Sequence, residues 1–407
     1  MGYGLVVAAL AGLSMNALAR EPAAPGPAEV APPDSMRAPS AADSVGASSK
    51  PPSSPSAPDS AYIGNVIPLN QFGKRISAYP YAYYTPETEF AFGVGGIITF
   101  YTDEDLLLRP SKATVSAYTT AKDQYKVTLS PEVYFKQNKI FGSLDLDYGR
   151  YVDKFYGVGN STPEIENSDY VTRGWGVRTE LQVPPFLGFL SSTRIGVIYE
   201  FAERDITADL GNPYLTDGSV SGAEAGSISG AGLSWVWDSR DHIFYPTSGG
   251  FHRVSAVYYM DGIGSDYDYN RYEVDLRQYF GKKDAHVFAF QLLWQATFGT
   301  PPFYELPALG GQQIMRGYYE GRYRDRVYLA GQAEYRTHLW WKLGAVAFLG
   351  AGDVGHDFSD FYLRDFKISG GAGLRLLFNE KEGVNLRMDL GFGTDTNGTY
   401  FALEEAF

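Results

Sequence analysis

Most of this chain, from Tyr62 to Phe407, consists of long segments in which apolar and polar residues alternate with a period of two. The segment 384–393 carries the pattern without interruption. Its apolar residues are Val384, Leu386, Met388, Leu390 and Phe392, and the polar residues between them are Asn385, Arg387 and Asp389. Because successive side chains of a β-strand point to opposite faces, this alternation predicts strands with one apolar face and one charged face.

The alternation recurs along the chain and predicts sixteen strands. Clear further examples are the segments 269–281, 285–299 and 327–339. The complete set of predicted strands is 75–84, 89–101, 111–119, 124–135, 139–152, 169–183, 191–204, 226–238, 249–260, 269–281, 285–299, 327–339, 343–352, 366–378, 384–393 and 399–407.

Strand length and composition decide between a soluble sheet and a membrane barrel. A soluble antiparallel sheet also alternates, but its strands usually hold about 5–6 residues, roughly half the length of these segments. Aromatic residues lie near the strand ends, as in an interfacial girdle, and the polar face carries both signs of charge, as in a polar lumen. The mean hydropathy of −0.22 argues against a bundle of membrane helices. We therefore predict an all-β fold, a 16-stranded antiparallel transmembrane β-barrel.

Long and short connections alternate between the predicted strands. Those after odd-numbered strands include 153–168, 205–225 and 300–326, whereas those after even-numbered strands are mostly tight, as at 340–342. Long loops outside the cell, short turns in the periplasm and an even number of strands are typical of outer-membrane barrels. The sequence thus predicts a protein of the bacterial outer membrane with a long loop between its eleventh and twelfth strands.

The first 61 residues indicate export and disorder. Residues 1–19 contain a short apolar stretch that ends in Ala-Leu-Ala, a cleavage site of the A-x-A type, and predict a signal peptide. Residues 20–61 are rich in Ala, Pro and Ser and poor in large apolar residues, so they cannot bury enough surface to offset the entropy of ordering. They predict a disordered periplasmic segment, which leaves 62–407 for the barrel.

Composition and residue spacing argue against several functional classes. A net charge of −13 argues against nucleic acid as a partner, because phosphate contacts need a basic surface. The absence of cysteine excludes thiol catalysis and thiolate metal sites, and the five histidines show no metal-ligand spacing. Asp238, Asp241 and His242 lie close together, but their predicted position in a periplasmic turn argues against catalysis. We expect no enzyme activity, no chemical cofactor and no bound metal.

Several motifs resemble those of one family. Residues 309–318 read Leu-Gly-Gly-Gln-Gln-Ile-Met-Arg-Gly-Tyr. They resemble the Val-Arg-Gly-Phe loop of the BamA/TamA/FhaC-type outer-membrane assembly superfamily, also called the bacterial surface antigen family. Residues 350–355 resemble its Gly-x-Asp-x-Gly motif, and 237–249 resemble its hairpin between strands eight and nine. The loop motif comprises Ile314, Met315, Arg316, Gly317 and Tyr318.

The Arg-Gly loop predicts a lock inside the lumen. If the loop folds inward, the Arg316 guanidinium needs a partner, because a buried lone charge is costly. Neighbouring strands offer Glu334 and Asp353, and the resemblance implies the same contact, with Gly352 and Gly355 beside it. Small side chains in register with Asp353 would leave room for the loop. They are Ala345, Ala347 and Ala351. The alternative is that Arg316 lies on a solvated surface loop.

Two further motifs concern the barrel itself. The predicted periplasmic hairpin motif comprises Asp238, Arg240, Asp241, Pro246 and Gly249. The last predicted strand ends in the aromatic residue Phe407, with Phe401 and Leu403 expected on the same face. This ending resembles the C-terminal signal that the barrel-assembly machinery reads by strand pairing.

The resemblance implies a role in outer-membrane assembly, with membrane lipid around the barrel and the barrel-assembly machinery as a partner during biogenesis. Residues 20–61 are too short and too rich in proline for a periplasmic POTRA domain, so the chain resembles a POTRA-less branch. Three functions remain open. The first is assembly or translocation of a client protein or lipid through a lateral seam between 75–84 and 399–407. The others are a passive pore, whose selectivity lumenal charges such as Arg271, Arg277 and Arg387 would set, and a structural barrel that displays its loops.

Overall fold

The computed structural model describes residues 73–407 apart from 86–87, 106–107, 186–191, 208–210, 219, 283–284 and 380–382. The predicted signal peptide (1–19) and the predicted disordered segment (20–61) lie outside the described residues. The described part is mostly strand, with one short helix, α1 (Pro213–Thr216), and one or two 3-10 turns in several of the longer connections.

Sixteen strands pair in chain order into one antiparallel sheet, and two short strands, β12 and β13, pair with each other between β11 and β14. The strands are β1 (Arg75–Thr85), β2 (Glu89–Phe100), β3 (Ser111–Thr120), β4 (Tyr125–Phe135), β5 (Ile140–Lys154), β6 (Asp169–Val183), β7 (Thr193–Thr207), β8 (Gly226–Asp238), β9 (Gly249–Tyr259), β10 (Tyr269–Gly281), β11 (His286–Gly299), β12 (Ala308–Leu309), β13 (Tyr323–Arg324), β14 (Val327–Trp340), β15 (Leu343–Gly355), β16 (Lys367–Asn379), β17 (Val384–Gly393) and β18 (Thr396–Leu403).

The predicted all-β fold with sixteen antiparallel barrel strands is confirmed. Four predicted strands have the same bounds in the structure: 169–183, 226–238, 269–281 and 384–393. Alternation specifies such strands well, because a shift by one residue would move every side chain to the wrong face. The last strand differs most, since it was predicted at 399–407 and spans Thr396–Leu403.

The two faces of the strands are inverted relative to a soluble protein. On β17, Arg387 and Asp389 are 2% and 0% exposed, whereas Leu390 and Phe392 are 43% and 58% exposed. Apolar side chains are costly to expose to water, and charged side chains are costly to bury without partners. This arrangement is that of a barrel with a polar lumen and an outer surface that faces lipid.

The first and last strands are the two edges of the sheet. β1 pairs with β2, and β18 pairs with β17. Cα atoms of β1 and β18 approach within 8 Å of each other, but no backbone ladder joins these two strands in the part of the chain that the structure describes. We call this junction of β1 and β18 the seam.

Candidate functional site

The connection between β11 and β14, residues 300–326, enters the lumen, and we call it the lumenal loop. A 3-10 turn (Phe303–Glu305) opens it, and β12 pairs with β13 at the base of its tip. Gly310 and Gly317 have φ of 114° and 112°, values that residues with side chains rarely adopt. These turns fold the tip compactly, and residues 314–318 are all buried.

Arg316, in the tip of the lumenal loop, is fully enclosed, with 0% of its side chain exposed. Its Nη1 donates to Asp389 Oδ2 at 2.6 Å, and its Nη2 pairs with Glu334. The guanidinium carbon also lies 3.6 Å from the centroid of the Phe348 ring. Charge-assisted hydrogen bonds and a cation–π contact offset the desolvation of a guanidinium only while the partners stay in place.

The partners of Arg316 belong to a ring of alternating charges in the lumen. Glu334 also binds Arg336 at 2.8 Å, and Asp389 also binds Arg375 at 2.5 Å. Glu405 completes the ring, at 2.7 Å from Arg375 and 3.9 Å from Arg336. Each carboxylate therefore lies between two guanidiniums of the ring, and Asp389 also lies 3.5 Å from Arg387. In order, the members of this charge ring are Arg316, Glu334, Arg336, Glu405, Arg375 and Asp389.

The backbone of the lumenal loop is tied to the edge strand β18. Gly317 N donates to Tyr400 Oη at 3.0 Å, and Thr396 Oγ1 donates to Gly317 O at 2.9 Å. A Cβ at Gly317 would lie 2.6 Å from the backbone of Phe392, so only glycine allows this approach. The loop thus rests directly on the last two strands.

An apolar cluster surrounds the same loop tip. A Cβ at Gly352 would lie 3.2 Å from Met315 Sδ, so this glycine leaves space for the methionine. Tyr318 also contacts β16 and the turn after β17. Its hydroxyl donates to Ile368 O at 3.2 Å and accepts from Thr394 N at 3.0 Å. The cluster consists of Leu309, Ile314, Met315, Tyr318, Tyr328, Ala330 and Val354.

The structure brings one of the two predicted acidic partners to Arg316. Glu334 contacts it directly. Asp353 does not, because its carboxylate binds Lys367 Nζ at 2.8 Å, so the predicted Arg316–Asp353 pair is wrong. Asp389 takes that place, and sequence reasoning missed it. The available signal was its position among the lumenal polar residues of 384–393, but no motif distinguished it from its neighbours.

The face of β15 that meets the lumenal loop is also opposite to the predicted one. Phe348 is buried under Arg316, whereas Ala347 is exposed on the outer surface. The prediction took Asp353 as the marker of the lumenal face, but the residues of β15 that contact the loop tip are the even-numbered Phe348 and Gly352. The alanines in question are Ala345, Ala347 and Ala351. Gly355 also lies away from the loop tip. A Cβ at Gly355 would lie 3.1 Å from Asp360 Cβ.

The predicted hairpin motif stabilises the turn between β8 and β9. Asp238 accepts from Arg240 Nε at 2.9 Å and from Arg109 Nη1 at 2.5 Å. Burial acts to lower the pKa of Arg240, but the Asp238 carboxylate outweighs this effect and raises that pKa above its usual value. Asp241 accepts from Thr247 N at 2.8 Å and so fixes the turn. Asp238 and Asp241 therefore have a structural role, since each carboxylate binds a group of the hairpin or of a neighbouring loop.

The end of the chain turns into the lumen. Glu404 has φ of 68°, which ends β18 and redirects residues 404–407 inward. Phe407 is 5% exposed and packs against Tyr279, with ring centroids 6.2 Å apart. The prediction that Phe401, Leu403 and Phe407 share one face of the last strand is therefore wrong, because Phe407 lies beyond the strand.

A cavity of about 390 Å³ lies between the hairpin and this terminal segment. Pro246 of the hairpin and Phe407 both line it. Gly249 begins β9 with φ of 85°, and a Cβ there would lie 2.0 Å from Ser239 O. The cavity wall carries charges of both signs, including Arg253 and Glu180, which bind each other at 2.8 Å.

The described residues contain no group of three or more His, Asp or Glu side chains that could hold a metal ion. No helix within the described ranges has both the length and the apolar character needed to cross a membrane. The charge ring pairs each acidic group with cations, so the chemistry that the site supports is binding and locking of a loop.

The inverted strands and the inserted loop define a class of protein, an outer-membrane β-barrel whose lumen holds the connection between its eleventh and twelfth barrel strands. Residues 109–396 match the Omp85 superfamily domain. This match covers more than half of the chain, so the chain belongs to the Omp85 superfamily. The resemblance inferred from the Arg-Gly loop is thereby confirmed, and it implies location in the outer membrane.

Two solved structures are similar in fold. BamA from Haemophilus ducreyi lacking POTRA domains 1–3 aligns with a TM-score of 0.52 and 14% identity over 81% of this chain and 70% of that chain. CdiB from Acinetobacter baumannii aligns with a TM-score of 0.50 and 12% identity over 81% of this chain and 59% of that chain. At these identities the likeness concerns the fold alone. No curated protein matches the sequence.

Proposed function

We propose that this barrel aids the assembly or translocation of outer-membrane protein or lipid through the seam, with the lumenal loop as a lock. The observation that carries the proposal is the complete burial of Arg316 between Glu334 and Asp389, on a loop that also binds β18. The loop cannot leave the lumen without separating these pairs. A lumen filled in this way directs a client to the wall of the barrel.

The seam supplies a surface to which a client strand can bind. Unpaired strand edges bind other strands through backbone hydrogen bonds. Tyr400 and Thr396 of the edge strand both contact the backbone of Gly317. The arrangement of β18 at the seam therefore depends on the arrangement of the lumenal loop, which is the coupling that a regulated seam needs.

The passive-pore alternative has less support. Arg271 lies 3.0 Å from Glu305 and also pairs with Glu200. Arg277 binds Asp275 at 2.5 Å. Selectivity in a pore depends on charges that face the permeating ion, whereas these charges already have ionic partners.

We also propose how the barrel reaches the outer membrane. Residues 1–19 would direct export, and 20–61 would remain as a disordered periplasmic segment without POTRA function. The barrel-assembly machinery would insert the barrel into outer-membrane lipid. The client of the mature protein would then be an outer-membrane protein or lipid that meets the seam.

A covalent clamp across the seam tests this function. The chain contains no cysteine, so one cysteine in β1 and one in β18 form a single defined disulfide. The refolded protein in vesicles is tested for its ability to accelerate the insertion of an unrelated, unfolded outer-membrane barrel. We expect acceleration with the reduced protein and its loss after oxidation.

The matched control places the cysteine pair within the wall, at Leu181→Cys and Val197→Cys, which are register partners on β6 and β7. Oxidation of this control should leave the acceleration unchanged. Acceleration that survives the seam disulfide, or no acceleration by the reduced protein, would exclude the seam as the working part.

Planar-bilayer conductance separates the lock from the pore. We expect the wild-type barrel to be mostly closed and Arg316→Ala to open, because the loop loses its buried pairs. A large, steady wild-type conductance that the substitution does not alter would favour a passive pore.

A further inference from the structure

The connection between β15 and β16, residues 356–366, exposes large apolar side chains in an ordered loop. Phe358, Tyr362 and Leu363 are 63%, 56% and 91% exposed. Each apolar side chain left in water costs roughly 25 cal/mol per Å² of its surface. Three such residues within six positions are unusual for a loop that is surrounded by water alone.

The loop lies against the lipid-facing surface of the barrel. The Phe358 ring stacks on Trp294 of β11, with centroids 5.5 Å apart and planes 21° apart. Trp294 lies on the same face of β11 as Leu292 and Phe298, which are 45% and 37% exposed. The exposed side chains of the loop therefore continue the apolar surface that the strands present to the membrane.

Local contacts hold the loop in this conformation. Asp357 and Asp360 form a reciprocal capping box around the 3-10 turn Phe358–Asp360. Asp365 N donates to Tyr362 O at 2.9 Å, which fixes a second 3-10 turn, Leu363–Asp365. The loop thus presents its apolar residues from a defined backbone.

A basic side chain stands beside the apolar ones. Arg364 is exposed, with 80% of its side chain accessible, although its Nε lies 3.5 Å from Asp365 Oδ1. Its guanidinium carbon lies 5.2 Å from the centroid of the Tyr362 ring. Aromatic rings and arginine side chains that lie close together often anchor a protein at the boundary between acyl chains and headgroups. The arginine can reach headgroup phosphates while the apolar side chains enter the acyl region.

We propose that residues 356–366 form a membrane anchor that inserts Phe358, Tyr362 and Leu363 into the interface of the adjacent lipid leaflet. The occupant of this surface is lipid. The loop continues the lipid-facing surface at Trp294, and Arg364 stands beside its apolar tip. This anchor does not depend on the seam or on the lock formed by Arg316.

The test uses Leu363→Cys in the full-length, cysteine-free chain, labelled with the environment-sensitive fluorophore NBD and refolded into phosphatidylcholine vesicles. Glu224→Cys, an exposed residue of the connection before β8, is the matched control. We expect NBD at position 363 to emit at shorter wavelength than NBD at 224, and to be quenched by lipids that carry a nitroxide near the headgroup.

Emission and quenching at 363 that equal those at 224 would overturn the proposal, because the loop would then lie in water. A blue shift without quenching by nitroxide lipids, together with energy transfer between labelled copies, would overturn it in favour of a second copy as the occupant. The heat-modifiable migration of the labelled barrel verifies that both variants are folded.

Discussion

At the scale of single residues, Arg316 depends on partners from two different strands. A guanidinium buried in a medium of low dielectric is stable only with carboxylates beside it. Glu334 of β14 and Asp389 of β17 supply them. Because both carboxylates also bind other arginines, removal of Arg316 leaves charges that the rest of the ring only partly compensates.

We expect Arg316→Ala to lower the free energy of unfolding by about 3–5 kcal/mol, the usual cost of breaking a buried ion pair. The measurement is urea unfolding of the barrel in detergent micelles or vesicles. The control is Arg364→Ala in the connection between β15 and β16, whose side chain is 80% exposed and lies 3.5 Å from Asp365. Its ion pair should contribute about 1 kcal/mol or less. Equal losses for both variants would contradict a specific role of Arg316.

A double-mutant cycle locates the acidic partner. Arg316→Ala and Asp389→Ala should couple by about 0.5–3 kcal/mol, as contacting residues do. Arg316→Ala and Asp353→Ala should add to within about 0.5 kcal/mol, because Asp353 binds Lys367 instead. Strong coupling to Asp353 and none to Asp389 would mean that the loop docks differently.

The sequence indicated that Arg316 needs an acidic partner more clearly than it indicated which residue that partner is. It predicted that a buried Arg316 requires acidic lumenal residues, and Glu334 meets that requirement. It could not select Asp389 over Asp353, because that choice depends on the stagger and curvature of the strands. Asp389 lies 73 residues from Arg316 along the chain. Alternation does not report the height of a residue in the barrel, and in β15, where small or apolar residues occupy both faces, it did not identify the lumenal face either.

At the scale of elements, the lumenal loop docks through its backbone as well as through its charge. Gly317 lies flat against β17, and a reciprocal close approach occurs at Gly391, where a Cβ would lie 2.6 Å from Arg316 C. Two facing glycines thus allow the loop and the strand to touch. Neither position can gain a side chain without separating them.

We expect Gly317→Ala to expose the lumenal loop to protease in the folded barrel, because the added methyl group would clash with β17 and φ of 112° is strained for alanine. Limited proteolysis of the refolded protein measures this. Gly262→Ala is the control, since a Cβ at Gly262 meets nothing within 4 Å. A loop that is as resistant in Gly317→Ala as in Gly262→Ala would contradict backbone docking.

Strand prediction succeeded where both faces of the strand meet uniform surroundings, as at 226–238 and 384–393. It failed at the end of β18, where Glu405 interrupts the alternation and the backbone leaves the strand before Phe407. The left-handed conformation of Glu404 stops the strand. The gain that favours this turn is the pairing of Glu405 with Arg375, a contact that local sequence does not reveal.

At the scale of the whole molecule, the charge ring joins elements that are distant in the chain. It connects the lumenal loop to β14, β16 and β17 and, through Glu405, to the segment 404–407. The loop and this terminal segment therefore share one network. A change in either should affect the other, because every carboxylate in the ring binds at least two cations.

We expect Glu405→Gln to speed backbone amide exchange in the lumenal loop, although Glu405 does not touch Arg316, because two guanidiniums lose their common carboxylate. Hydrogen–deuterium exchange of the 310–322 peptide provides the measurement. Glu404→Gln is the control, because Glu404 binds Lys112 at 3.3 Å and lies outside the ring. Unchanged exchange in Glu405→Gln would mean that the ring does not transmit the effect.

The hydrogen bond from Gly317 N to Tyr400 Oη makes the lock and the edge strand thermodynamically linked. Coupling between two sites is reciprocal, so whatever weakens one site when the other is occupied acts equally in the opposite direction. A strand that binds β18 and displaces Tyr400 would lower the affinity of the lumen for its own loop. By the same free energy, a released loop would favour strand binding at the seam.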